Sequence, residues 1–206
     1  GGVAVDGGRV FVATGYGEVA ALDPASGAIQ WRREIIAPAR SAPTAAAGKV
    51  FLVTQTNEVV ALEQADGTQS FSYVGIPEQA GMLAAASPAV SGDKVVFPYS
   101  SGEVMAFDIE SGEAVWQDFV TRTIRTLAIS GIADVSGSPV ISDGTVYATG
   151  VSGRTIAVSL ADGTRRWEND LGGTSTPGVS GNAMFIVDLD GRMVAMDRSD
   201  GSVLWA

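Results

Sequence analysis

The stretch Ala106-Phe107-Asp108-Ile109-Glu110-Ser111-Gly112-Glu113-Ala114-Val115-Trp116 decides the fold, because its spacing occurs in four other places in the chain. Ala21-Leu22-Asp23 leads to Gly27 and Trp31, and Ala61-Leu62-Glu63 leads to Gly67 and Phe71. Ala157-Val158-Ser159 leads to Gly163 and Trp167, and Ala195-Met196-Asp197 leads to Gly201 and Trp205. In every copy the alanine lies ten residues before the aromatic and the glycine lies four before it. Farther out, Pro43, Pro88, Pro139 and Pro177 each precede Phe71, Trp116, Trp167 and Trp205 by 28 residues, with Val3 in that place in the first copy. The linkers from aromatic to next proline vary, at 12, 17, 23 and 10 residues. A rigid body joined by unequal linkers marks a tandem structural repeat.

Each unit reads as four short strands. In the third, Pro88-Ala89-Val90 turns at Ser91-Gly92-Asp93 into Lys94-Val95-Val96-Phe97, and Ser101-Gly102 turns into Glu103-Val104-Met105-Ala106-Phe107. The loop ending at Gly112 leads into Glu113-Ala114-Val115-Trp116. Short strands joined by Gly, Asn and Asp turns make an antiparallel meander. The turn before the third strand carries Gly17, Asn57, Gly102, Gly153 and Gly191, and Asn is the residue that best replaces Gly at positive φ. Proline at a strand start costs the ladder least. Four-stranded units of this size predict an all-β fold, a β-propeller of antiparallel blades, rather than a linear solenoid. The predicted blades are 3–37, 41–74, 86–120, 137–171 and 175–206. Trp31, Phe71, Trp116, Trp167 and Trp205 are expected to be structural, each lying across a blade face and docking on the adjacent blade near small residues such as the repeated alanine.

Composition narrows the function. The chain has 23 acids against 13 bases, no cysteine and no histidine. An acidic balance argues against nucleic acid or an anionic membrane surface as main partner. Disulfides, thiol catalysis, imidazole bases and the usual zinc sites are excluded. The apolar runs are strand-length and too short to span a bilayer as a helix. A start at Gly1-Gly2 rather than Met fits a signal peptide or lipid anchor removed from a missing N-terminal part.

The Ala-x-Asp-x-x-Ser/Thr-Gly-x-x-x-Trp pattern resembles the tryptophan-docking repeat of the pyrroloquinoline-quinone (PQQ)-type propellers. Ala21, Asp23, Ser26, Gly27 and Trp31 match it fully, as do Ala106, Asp108, Ser111, Gly112 and Trp116. The second unit departs most, with Glu63, Asp66 and Phe71. One branch of the superfamily comprises quinoprotein dehydrogenases that hold PQQ and Ca²⁺; the other is the BamB-type lipoprotein scaffold of outer-membrane β-barrel assembly. The stretches 132–139, ending Ser138-Pro139, and Phe185-Ile186-Val187-Asp188-Leu189-Asp190 are similar to BamB-type segments. Both branches build eight blades, so the resemblance implies that the five units are part of an eight-bladed ring, with 1–206 one partial propeller domain; a self-contained five-bladed ring is the alternative.

The BamB-type branch implies a non-catalytic scaffold in the periplasm, associated with the outer membrane, that binds the barrel-forming assembly subunit without a metal or cofactor. The acids and amides Glu18, Asn57, Glu58, Glu103, Asp188 and Asp190 read as turns and strand ends rather than as a Ca²⁺ and quinone site. The alternatives are a PQQ- and calcium-dependent dehydrogenase propeller or a generic protein-binding propeller. Long connectors on a rigid scaffold carry binding. The one after Trp116 sets two bases among aliphatics, so Ile124, Arg125 and Leu127, with Asp188 and Asp190, are the expected contact residues. The connector 75–81 is the second candidate.

Overall fold

The computed structural model of the protein describes residues 2–76, 86–121, 135 and 137–206. The first blade comprises β1 (Gly2–Asp6), β2 (Arg9–Ala13), β3 (Glu18–Leu22) and β4 (Ile29–Glu34). The second comprises β5 (Thr44–Ala46), β6 (Lys49–Val53), β7 (Glu58–Glu63) and β8 (Gln69–Val74). The third comprises β9 (Ala89–Ser91), β10 (Lys94–Pro98), β11 (Glu103–Asp108) and β12 (Ala114–Phe119). The fourth comprises β13 (Val140–Ser142), β14 (Thr145–Gly150), β15 (Arg154–Ser159) and β16 (Arg165–Asn169). The fifth comprises β17 (Gly178–Ser180), β18 (Ala183–Val187), β19 (Met193–Asp197) and β20 (Val203–Trp205). Each blade is a separate four-stranded antiparallel sheet in sequence order. The first strands of successive blades touch one another, which puts β1, β5, β9, β13 and β17 nearest the axis and β4, β8, β12, β16 and β20 at the rim.

The core lies between blades rather than within one. Four apolar clusters fill the four junctions: Phe11 with Leu52, Phe51 with Phe97, Val104 with Ile156, and Tyr147 with Met184. The middle strands β6, β7, β10, β11, β14 and β15 are almost wholly buried because both faces meet a neighbour. That explains their near-continuous Val/Ile/Leu/Phe runs where a one-sided sheet would alternate.

The repeat motif has a physical reading at every position. The acid organises the loop: Asp23 Oδ1 accepts from the Ser26 N–H at 2.8 Å and the Ser26 hydroxyl at 2.7 Å, and Asp108 accepts from the same two groups of Ser111. Those bonds hold both carboxyls below the usual carboxylate range. The alanine serves its own blade. It stands directly across from that blade's aromatic, as Ala21 from Trp31, Ala106 from Trp116 and Ala157 from Trp167. A bulge follows it each time.

For four of the five aromatics the small residue that receives the ring is the glycine of the next blade, not the alanine. A Cβ on Gly163 (φ +73) would stand 2.7 Å from two side-chain carbons of Trp116, and one on Gly67 would stand 2.6 Å from Trp31. Phe71 meets Gly112 and Trp167 meets Gly201 in the same way. The indole N–H then donates to the carbonyl three residues before that glycine: Trp31 to Gln64 (2.9 Å), Trp116 to Leu160 (2.8 Å) and Trp167 to Arg198 (2.8 Å). Trp205 takes the same pose over Phe185, with ring centroids 6.1 Å apart, and is 52% exposed. Gly27 has open space where the other four motif glycines meet a ring.

Candidate functional site

In a four-stranded meander the turn after strand two and the connector after strand four fall at the same end. That end therefore gathers all five β2–β3-type turns, and the acids and amides singled out in the sequence lie on it. Asn57 sits at φ 60 among turn glycines at 78 (Gly17), 79 (Gly102), 89 (Gly153) and 80 (Gly191), so its backbone takes the left-handed place that those turns require. Its side chain joins three segments. Nδ2 donates to the Ile76 carbonyl at 2.9 Å, and Oδ1 accepts from the Ser100 hydroxyl at 2.8 Å and from Arg40 Nη1 at 3.2 Å.

The residue three before the turn glycine differs between blades. Thr14 and Thr54 accept the N–H of Glu18 and Glu58 through Oγ1, at 3.3 and 3.1 Å. Asp188 does the same job in the fifth blade, its Oδ1 accepting from the Asp190 N–H at 3.0 Å and the Arg192 N–H at 2.8 Å. Arg192 returns the bond, with Nε on Asp188 Oδ2 at 3.0 Å and Nη2 on Asp190 Oδ2 at 2.9 Å. The backbone N–H of Arg192, more than its charge, holds the Asp188 carboxyl below the usual range. Asp188 is buried at 6% exposure, so its carboxylate is committed to shaping the turn. Asp190, at 76% side-chain exposure, Arg192 at 62%, and the half-exposed Leu189 are the groups this turn presents outward.

The third blade has Tyr99 at that place, opposite Glu103 at the end of the β10–β11 hairpin. Glu103 is 3% exposed and Tyr99 fully buried; among the described residues the Tyr99 hydroxyl, the Ser101 hydroxyl and Glu103 Oε2 have no hydrogen-bond partner. Burial pushes the Glu103 carboxyl up, and burial together with the Glu103 charge pushes the Tyr99 phenol far above its usual value. Across the junction of the third and fourth blades Arg165 forms an ion pair with Asp118; within the fourth blade it also pairs with Glu168, and Arg154 lies 3.4 Å from Glu168.

Of the expected contact residues, the structure places Asp188 and Asp190 together on one turn, while Ile124, Arg125 and Leu127 lie outside the described residues. Most of the connector 75–81 lies outside them as well. Sequence reasoning missed Arg192, Arg165 and Tyr99. A signal for the first was present: the residue after the turn glycine or asparagine is Glu18, Glu58 and Glu103 in three blades but Arg154 and Arg192 in the last two. Among the described residues no three His, Cys, Asp or Glu side chains converge as a metal-holding group, and no helix is long and apolar enough to cross a membrane.

Residues 1–206 match the family described as "Outer membrane protein assembly factor BamB". The chain is 34% identical to the protein of that name from Salmonella typhimurium over 172 residues, covering 84% of this chain and 44% of that one. It is 36% identical to the Xanthomonas campestris pv. campestris protein of that name over 183 residues, covering 87% and 44%. The chain thus spans less than half the length of these relatives. BamB from Moraxella catarrhalis superposes with a TM-score of 0.91 at 25% identity, over 99% of this chain and 62% of that one. A europium-containing methanol dehydrogenase superposes at 0.78 with 17% identity, over 100% and 50%, a likeness of fold alone.

Proposed function

Because the chain belongs to the BamB family of outer membrane protein assembly factors, we propose that it is part of a non-catalytic scaffold for assembling outer-membrane β-barrel proteins. The scaffold works in the periplasm and binds a periplasmic domain of the barrel-forming subunit. The observation that carries this reading is the family match along the whole chain. The β18–β19 turn supports it, since Asp188 holds Asp190 and Arg192 in place there. An exposed charge pair beside exposed Leu189 suits a protein contact steered by charge. Arg125, Ile124 and Leu127 supply the rest of the contact.

The blade divisions 3–37, 41–74, 86–120, 137–171 and 175–206 belong to the same proposal, as an arc of an eight-bladed ring. Trp205 and Gly27 support it, since they present the two complementary halves of the junction seen four times inside the chain.

The test is titration calorimetry of the chain against the periplasmic domain of the barrel subunit. Arg125→Glu and Asp190→Arg are each expected to weaken binding at least about tenfold, a change of about 1.4 kcal/mol. Undiminished binding in both variants overturns the site, and no binding by the parent overturns the function. A parallel titration with PQQ and Ca²⁺, followed by absorption, is expected to leave the spectrum of PQQ unchanged. A saturable shift favours the dehydrogenase reading instead.

A further inference from the structure

Among the described residues every blade leaves the outer edge of its rim strand unpaired. Such an edge is a template for another strand, and proteins blunt it with charge, proline or a cover. β4 carries Arg32, Arg33 and Glu34, and β16 carries Arg165, Arg166 and Glu168. β12 carries Asp118, and its Phe119 carbonyl accepts Arg165 Nη2 at 3.2 Å.

Among the described residues β8 has none of these protections. Residues 67–76, Gly-Thr-Gln-Ser-Phe-Ser-Tyr-Val-Gly-Ile, contain no charged side chain and no proline. The strand is exposed, with Tyr73 at 40% and Val74 at 63%. Its register shows which groups are open. The Gly75 N–H donates to the Asn57 carbonyl at 2.9 Å, with Tyr73 across from Val59 and Phe71 across from Ala61. Alternation along an antiparallel ladder then turns the main-chain groups of Tyr73 and Phe71 inward and those of Ser72 and Val74 outward. Among the described residues those outward groups have no partner. The strand is also held in place: Phe71 and Tyr73 both pack on Phe107, with ring centroids 6.1 and 5.3 Å apart.

We propose that β8 is a strand-addition site, taking an extended, uncharged polypeptide segment as a fifth strand of the second blade. Charge matching selects that occupant. The neutral edge gives a charged strand no counter-ion, whereas a strand alternating small polar and apolar side chains meets Ser70, Ser72 and Val74 without a desolvated charge. Main-chain bonds supply affinity in this mode and alternate side chains supply selection. Segments of that pattern are what membrane β-barrel strands are made of. Naming a barrel strand as the client rests on the proposed function; the open edge does not.

The probe is a labelled, end-capped decapeptide of alternating threonine and valine, followed by fluorescence anisotropy with the 206-residue chain. The parent is expected to bind it. Ser72→Lys and Ser72→Pro are each expected to bind at least about tenfold more weakly, with circular dichroism unchanged. Gln117→Lys, outward on β12, is expected to bind like the parent. The same peptide N-methylated at alternate residues is expected not to bind. No binding by the parent, equal binding by Ser72→Lys, or equal binding of the N-methylated peptide overturns the strand-addition site. A second arm compares a decapeptide copied from a barrel strand with a neutral peptide lacking the alternation. Equal affinities there overturn the barrel-strand client while the edge site stands. Neither arm depends on Arg125 or Asp190, so failure of the subunit contact reads out separately.

Discussion

Replacing Trp116 by alanine tests the account of the inter-blade junctions. Its side chain is 8% exposed, lies on Gly163 of the next blade and donates to the Leu160 carbonyl at 2.8 Å. Burial of such an aromatic removes about 150–250 Å² from water, or about 4–6 kcal/mol at about 25 cal/mol per Å². Residual burial in the unfolded chain lowers this, and the cost of large aromatic truncations is about 3–5 kcal/mol. Trp116→Phe keeps most of the area and strands the Leu160 carbonyl, at about 1–2 kcal/mol. Phe71 fills the equivalent place one blade earlier, so a phenyl ring fits the socket geometry. With a urea slope of about 3 kcal/mol per M, the midpoint falls by about 1–1.7 M for alanine and about 0.3–0.7 M for phenylalanine. The assay is urea unfolding by circular dichroism, which does not depend on the tryptophan removed. An unchanged midpoint in Trp116→Ala, or equal losses in both variants, refutes the assignment of Trp116 as the pin between these blades.

Two further outcomes are expected. Gly163→Ala and Gly27→Ala meet nearly the same backbone, at φ +73 and +70, but only the first would drive a Cβ into a tryptophan. Gly27→Ala is expected to cost about 1–2 kcal/mol for the left-handed backbone, and Gly163→Ala about 1–3 kcal/mol more for overpacking; equal midpoints in urea unfolding refute the docking geometry. Glu103 has its carboxyl pushed up by burial. Unfolding releases it to lose its proton at about pH 4.3, so stability falls as pH rises from there to the folded value and then levels off. Comparing Glu103→Gln with the parent, the urea midpoint is expected to shift in favour of the variant between about pH 4 and pH 8, and a difference that does not change with pH refutes the burial argument.

The blade was legible because its landmarks are local. Ala106, Gly112 and Trp116 lie within eleven residues, and each is required by a turn or a cross-strand neighbour of the same hairpin. The choice of docking partner was less legible. Trp116 has alanine and glycine at fixed offsets in every copy, and only the packing of one sheet on the next shows that it uses Gly163 and leaves Ala106 to its own strand pair. The candidate site divided along the same line. Asp188 and Asp190 stood out as closely spaced acids, but a one-dimensional pattern cannot distinguish a carboxylate folded back on its own turn from one facing solvent. Arg192 decides that, by spanning both acids. The unguarded edge of β8 needed the ladder register, since only the pairing with β7 shows which main-chain groups face out.

The junction has a direction, and that direction bears on how such a chain grows. Each of the three middle blades gives an aromatic forward and receives one from behind, using one loop and one strand of a single repeat. A gene segment encoding one unit can therefore be copied in tandem, and the insertion creates one more junction of the same chemistry. Connector length is free of this requirement. Linkers of 10 to 23 residues coexist with an invariant body, leaving one end of the molecule open to novelty while the other is held to tight turns.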